Sequence, residues 1–148
     1  MAVDVVVETL IQRPRAVVAA FAGDPGRAPE WYVNIKSIEW ETPGPLGVGS
    51  RMAFVAQFLG RRLAYTYEVR ELLQNERLVM ATSQGPFPME TTYTWHDDDG
   101  GTRMTLRNRG EPTGFSAVIA PLMALLMRRA MTADVAKLKR VLEGAEAR

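Results

Sequence analysis

The 148-residue chain has no cysteine and a single histidine, His96. The first absence excludes disulfides, thiolate zinc sites and cysteine nucleophiles. The second excludes a multi-histidine metal centre. An excess of charge of one sign is also missing. Lys plus Arg is 18 against 17 for Asp plus Glu, so the net charge of +1 gives no basis for expecting nucleic acid as a partner. Long hydrophobic runs are lacking too. The longest apolar stretch, Phe115 to Met127, is interrupted by Ser116 and Pro121, and it falls short of the about 20 residues that span a bilayer. Stable membrane insertion is therefore not expected. The N-terminus, Met1-Ala-Val-Asp-Val-Val-Val-Glu8, has no basic region ahead of an apolar run. No secretory signal is expected, and the expected location is cytoplasmic.

What is present describes an ordinary globular chain. Hydrophobic residues make up 47% and charged residues 24%, and the length suits one domain, residues 1–148, around one core. Val3, Val5, Val7 and Thr9 alternate with Asp4, Val6 and Glu8, which predicts a first strand. Arg13-Pro14 breaks that period, and Val17, Val18 and Phe21 follow at helical spacing up to Gly23. Asp24-Pro25 suits the cap of a second short helix that reaches about Trp31. From Ile35 onward the signals are those of strands. The turn residues between them are Thr42–Gly49, Leu59-Gly60, Asn75-Glu76, Gly85–Pro88 and Asp97–Gly101. Strands joined this closely predict an antiparallel meander. Ala120, Met123, Met127, Met131, Val135, Leu138 and Leu142 then form one helical stripe, on a helix about 33 Å long from Pro121 to Leu142. The predicted class is α+β, with a curved sheet around a long C-terminal helix.

The period of two assigns faces. Met52, Phe54, Ala56 and Phe58 point inward from one strand, and Leu63, Tyr65, Tyr67 and Val69 from the next. Met89, Thr91, Tyr93 and Trp95 do so from a third, and Thr102, Met104, Leu106 and Asn108 from the last. Leu78, Met80 and Thr82 form a weaker inward set, because Val79 and Ala81 are apolar as well. Nearly every strand charge then faces solvent. Tyrosine and threonine hydroxyls, the Trp95 indole and the Asn108 amide remain inside. Polar groups buried in this way need partners: one another, water or a ligand. The inward set holds no Asp, Glu, His or Lys. His96 follows inward Trp95 and so points to solvent, beside a turn whose three aspartates, Asp97, Asp98 and Asp99, are too close in sequence to converge on one ion.

Arg13-Pro14, Asp24-Pro25, Pro29-Glu30-Trp31-Tyr32, Pro43–Arg51, Gly85-Pro86-Phe87 and Gly101-Thr102-Arg103 occur in an order and spacing that resemble the SRPBCC (START-like) superfamily. The likeness is to its polyketide cyclase/dehydrase-type branch and extends from Val3 to about Leu142. It implies a helix-grip fold of about seven antiparallel strands, with two short helices after strand one. It also implies a cavity between sheet and helix for lipids, polyketides or other apolar molecules. It fixes no reaction, because the superfamily includes carriers, cyclases, hydroxylase domains and chaperone regulators.

The candidate ligand-binding residues are Trp31, Phe54, Tyr65, Tyr67, Met80, Thr82, Phe87, Tyr93, Trp95, Met104, Asn108, Met123 and Met127. Each has a plain alternative as packed core: tyrosines bonded to one another, Asn108 to the next loop, Trp31 as a seal of the short helices, Phe87 as a loop staple. No catalytic residue, metal or cofactor is assigned. The expected function is binding of a small hydrophobic molecule, for sequestration, transport or sensing. An enzyme of the polyketide cyclase or aromatase type, using the cavity tyrosines, is the first alternative, and a protein-interaction or chaperone-regulator module is the second. Val118, Leu122 and Leu125 lie off the main helical stripe, where an apolar patch suits a homodimer contact.

Overall fold

Residues 3–58, 60–82, 88–112 and 118–146 are described by a computed structural model. The strictly alternating segment at the N-terminus forms β1 (Val3–Ile11), with Val3, Val5, Val7 and Ile11 buried. Pro14 stands at the cap of α1 (Arg15–Ala22), and Gly23 closes that helix. Asp24 then caps a single 3₁₀ turn, Pro25–Arg27, by accepting the Gly26 N–H at 2.9 Å, and the chain continues into α2 (Ala28–Trp31). Six strands follow: β2 (Ile35–Trp40), β3 (Arg51–Phe58), β4 (Arg61–Leu73), β5 (Arg77–Thr82), β6 (Met89–Asp98) and β7 (Gly101–Gly110). The chain ends in α3 (Ala120–Glu146).

All seven strands join one antiparallel sheet in the order β1-β7-β6-β5-β4-β3-β2. The meander of β2 to β7 is the predicted one, and β1 closes onto β7. Register shifts between Ile35 and Ser37 and between Val69 and Glu71 bend the sheet, as bulges do. The curved inner face receives α3. Met131, Val135, Leu138 and Leu142 are buried there, in the predicted stripe. This is the helix-grip α+β fold.

The two faces of the sheet differ as the alternation requires. Outside, cross-strand ion pairs join Arg107 to Asp4, Arg103 to Glu8 and Asp98, and Arg109 to Glu90. Inside, Met52, Phe54, Val69, Leu78, Met80, Tyr93, Trp95, Met104 and Leu106 are buried. Val79 is buried as well, so β5 is covered on both faces, which explains its blurred alternation. The Phe58 side chain and residue Phe87 fall outside the described residues. His96 is exposed as expected. Asp97 pairs with Arg15 and Asp98 with Arg103, so those turn carboxylates are held apart by different partners. No helix among the described residues is long and apolar enough to cross a membrane.

Candidate functional site

The register of β6 and β7 sets Thr91 opposite Asn108 and Tyr93 opposite Leu106 on the inner face. β3 and β4 place Phe54 opposite Tyr65, and Met52 opposite Tyr67. Polar tips from three strands therefore meet over a floor of aromatic rings. Phe54 and Tyr67 meet edge to face with centroids 5.7 Å apart, and Tyr65 and Tyr67 do so at 5.5 Å.

Two hydrogen-bond groups form there. In the first, Thr91 donates to Asn108 Oδ1, and Tyr67 lies 3.1 Å from Thr91 Oγ. Thr91 has one proton and Asn108 takes it, so the Tyr67 hydroxyl donates to Thr91. The amide nitrogen of Asn108 is not used in this chain. In the second, the hydroxyls of Tyr32 and Tyr93 lie 2.5 Å apart. One of their two protons closes that bond and the other remains for a third group.

Both groups line a cavity of about 60 Å³, bounded on its apolar sides by Ala22, Ala28, Phe54 and Met80. That volume holds about two water molecules. Among the described lining residues none is a Lys, Arg or His, and Asp24 is the one that carries a charge. Burial pushes the hydroxyls of Tyr65, Tyr67 and Tyr93 above the usual tyrosine range, and that of Tyr32 well above it. They act as neutral donors and acceptors at neutral pH.

Of the residues singled out from sequence, Phe54, Tyr67, Met80, Tyr93 and Asn108 line this cavity. Tyr65 packs behind Tyr67. Trp31 is 0% exposed and is wedged on Tyr32 and Tyr93, at 4.2 and 5.8 Å between ring centroids, which makes it a seal rather than a lip of an opening. Thr82 lies at the far end of the sheet, beside Val3 and Met89, and Trp95 faces α1. Met104 is buried in the core, and Met123 and Met127 are half-buried against it. Among the described residues, no group of three or more His, Asp or Glu is placed to hold a metal.

Two residues escape the assignment of strand faces. Tyr32 follows α2 and belongs to no periodic pattern. Asp134 is the more consequential. The strand faces predict an interior without an acid, yet Asp134 on α3 is only 4% exposed. It lies beside Met131, Val135 and Leu138 in the stripe, where helix geometry turns it under with them. One carboxylate oxygen accepts the Val33 N–H at 2.9 Å. Burial outweighs that bond and the nearby Lys137, and it raises the Asp134 carboxyl to about 6. Its charge opposes ionisation of Tyr32, Tyr65 and Tyr93, and its bond to Val33 ties it to the residue that follows Tyr32. The signal in the sequence is an acid set between two buried stripe positions.

A curved sheet gripping a long helix over a hydroxyl-bearing interior defines a START-like domain. The chain belongs to the family described as polyketide cyclase / dehydrase and lipid transport, which it matches over residues 2–143. Solved structures share the fold. TTHA0849 from Thermus thermophilus is 23% identical, with a TM-score of 0.82 over 96% of this chain and 98% of that one. A START superfamily protein from Mycobacterium smegmatis is 14% identical, with a TM-score of 0.82 over 96% and 98%. The Zhui aromatase/cyclase from Streptomyces sp. R1128 is 12% identical, with a TM-score of 0.83 over 97% and 94%. Comparison with curated proteins finds no match.

Proposed function

We propose that the chain binds a small, uncharged, oxygen-bearing apolar molecule between sheet and helix, as a carrier, sequestering protein or sensor. The observation that carries this reading is the convergence of two hydroxyl groups, Tyr32–Tyr93 and Tyr67–Thr91–Asn108, on one apolar-walled space. Among the described residues each group has a donor left over, so a carbonyl or ether oxygen is the complementary ligand atom. An anionic headgroup finds no cation among the described lining residues and loses its hydration without return. Family membership supports a hydrophobic ligand. A cavity of about 60 Å³ is too small for a lipid. A larger ligand therefore has to displace half-buried side chains, and Met123 and Met127 are the adaptable ones.

A thermal-shift screen of neutral aromatic polyketides, sterols and fatty acids tests the proposal. Neutral oxygenated compounds should raise the melting temperature more than fatty acids do, and the double variant Tyr32→Phe, Tyr93→Phe should abolish the difference. Absence of any stabilising compound from a broad library would remove the reading.

Asp134 favours a second reading, an enzyme of the cyclase or aromatase type. A carboxyl at about 6 beside neutral tyrosines can take and return a proton near neutral pH. If that reading holds, Asp134→Asn retains binding of a poly-β-keto surrogate and loses its turnover. Unchanged turnover in that variant would exclude it.

A further inference from the structure

A larger space lies outside the sheet–helix interior. It is a groove of about 560 Å³ between α1, the 41–50 loop that joins β2 to β3, and the β4–β5 turn. That volume lies within the range of about 300–1,000 Å³ typical of small-molecule sites. Trp40 stands on one side, 43% exposed, and Trp95 lies on the other. Leu46 and Leu72 complete the apolar wall. Exposed indole beside leucines costs free energy in water and is a flat surface for an aromatic ring.

The polar side of the groove has one sign of charge. Among the described residues that line it, Asp24 alone is charged. Its Oδ1 accepts the Gly26 N–H at 2.9 Å. Its Oδ2 forms a long ion pair with Arg27 Nε at 3.9 Å, beyond hydrogen-bond reach, and the side chain is 47% exposed. That oxygen retains accepting capacity. Trp40 sits against the same turn: a Cβ built on Gly26 would lie 3.2 Å from Asp24 Oδ1 and 3.8 Å from Trp40 Nε1. An indole and a carboxylate thus share one small neighbourhood, the combination that recognises an organic cation.

We infer that this groove is a second ligand site, adjoining the sheet–helix interior at Asp24, for a planar aromatic molecule carrying a protonated amine. The ring lies on Trp40 and the leucines, and the ammonium donates to Asp24 Oδ2. The same carboxylate repels aromatic acids of equal shape. Asp24 also reaches the wall of the interior cavity, so among the described residues the two spaces share this one and no other.

The three tryptophans give three indole N–H signals in a proton–nitrogen correlation spectrum, assigned with a Trp40→Phe variant. Titration with 2-naphthylmethylamine should shift the Trp40 and Trp95 signals saturably and leave Trp31 unmoved. The matching acid, 2-naphthoate, should bind at least about tenfold more weakly. Asp24→Asn keeps an N-cap residue and should erase that preference. Ala20→Trp, introduced at an exposed position of α1 on the groove wall, should abolish binding without touching the carboxylate. The inference is overturned if the amine shifts neither Trp40 nor Trp95, if it shifts Trp31 alone, or if the acid binds as tightly as the amine.

Discussion

The two halves of α3 rest on the same sheet but are held to it differently. In the second half, Met131, Val135, Leu138 and Leu142 are all buried. Polar ties reinforce them. Asp134 accepts from Val33 N, Lys139 Nζ donates to Leu10 O, Glu143 accepts from Gln12 N, and Arg13 donates to Leu142 O. In the first half Met123 and Met127 are half-buried, and Arg128 to Val6 O is the one tie to the sheet among the described residues. Val118, Leu122 and Leu125 face outward at 76%, 55% and 49% exposure. One half of the helix is clamped and the other rests on methionines. An interior ligand that needs more room than the present cavity gains it most cheaply under the first half.

The largest expected effect tests that asymmetry directly. Leu138→Ala leaves a cavity under the clamped half and should cost about 2–5 kcal/mol in urea unfolding. Met123→Ala should cost about 1 kcal/mol or less, because a half-buried side chain has less apolar area to lose. Equal costs would mean that the halves are held alike.

Asp134 sharpens the comparison from within the clamp. Its folded carboxyl titrates at about 6, against an ordinary value of 3.8. Between those values the folded state binds the extra proton, so stability rises as pH falls through about 6, and the penalty is fully present above it. At about 1.4 kcal/mol per unit, and with the carboxyl still partly compensated by Val33, Asp134→Asn should stabilise the protein by about 1–3 kcal/mol at pH 7.5. The difference between wild type and variant should shrink toward zero near pH 4. Unfolding at several pH values measures it. A variant less stable at pH 7.5 would show that the Val33 bond outweighs the buried charge.

The sheet is legible in the sequence because its alternation is strict. Period two alone assigns Tyr65, Tyr67, Tyr93 and Asn108 inward, and period 3.6 alone assigns the helical stripe from Ala120 to Leu142. The site is legible only in part, because periodicity reports faces and not neighbours. Tyr32 lies in the α2–β2 connection, where no period exists, and only its bond to Tyr93 brings it in. Asp134 sits inside the stripe, but an acid there reads as a surface residue until Val33 is seen to satisfy it. Period two places Trp95 correctly on the inner face, yet two residues further along β6 than Tyr93 that face is covered by the end of α1 and not by the cavity. The strand period cannot report which element covers each point of a face.

The smallest expected effect on stability falls on the loosely held half. Leu122 is 55% exposed, so Leu122→Glu should change the folding free energy by no more than about 0.5 kcal/mol. Its consequence lies in association. If the patch of Val118, Leu122 and Leu125 pairs with a second copy, the wild type should sediment as a concentration-dependent dimer and the variant as a monomer. A dimer there would stiffen the half of the helix that an interior ligand has to displace, so ligand and association would oppose one another. If the wild type remains monomeric at high concentration, the patch is free and this opposition disappears.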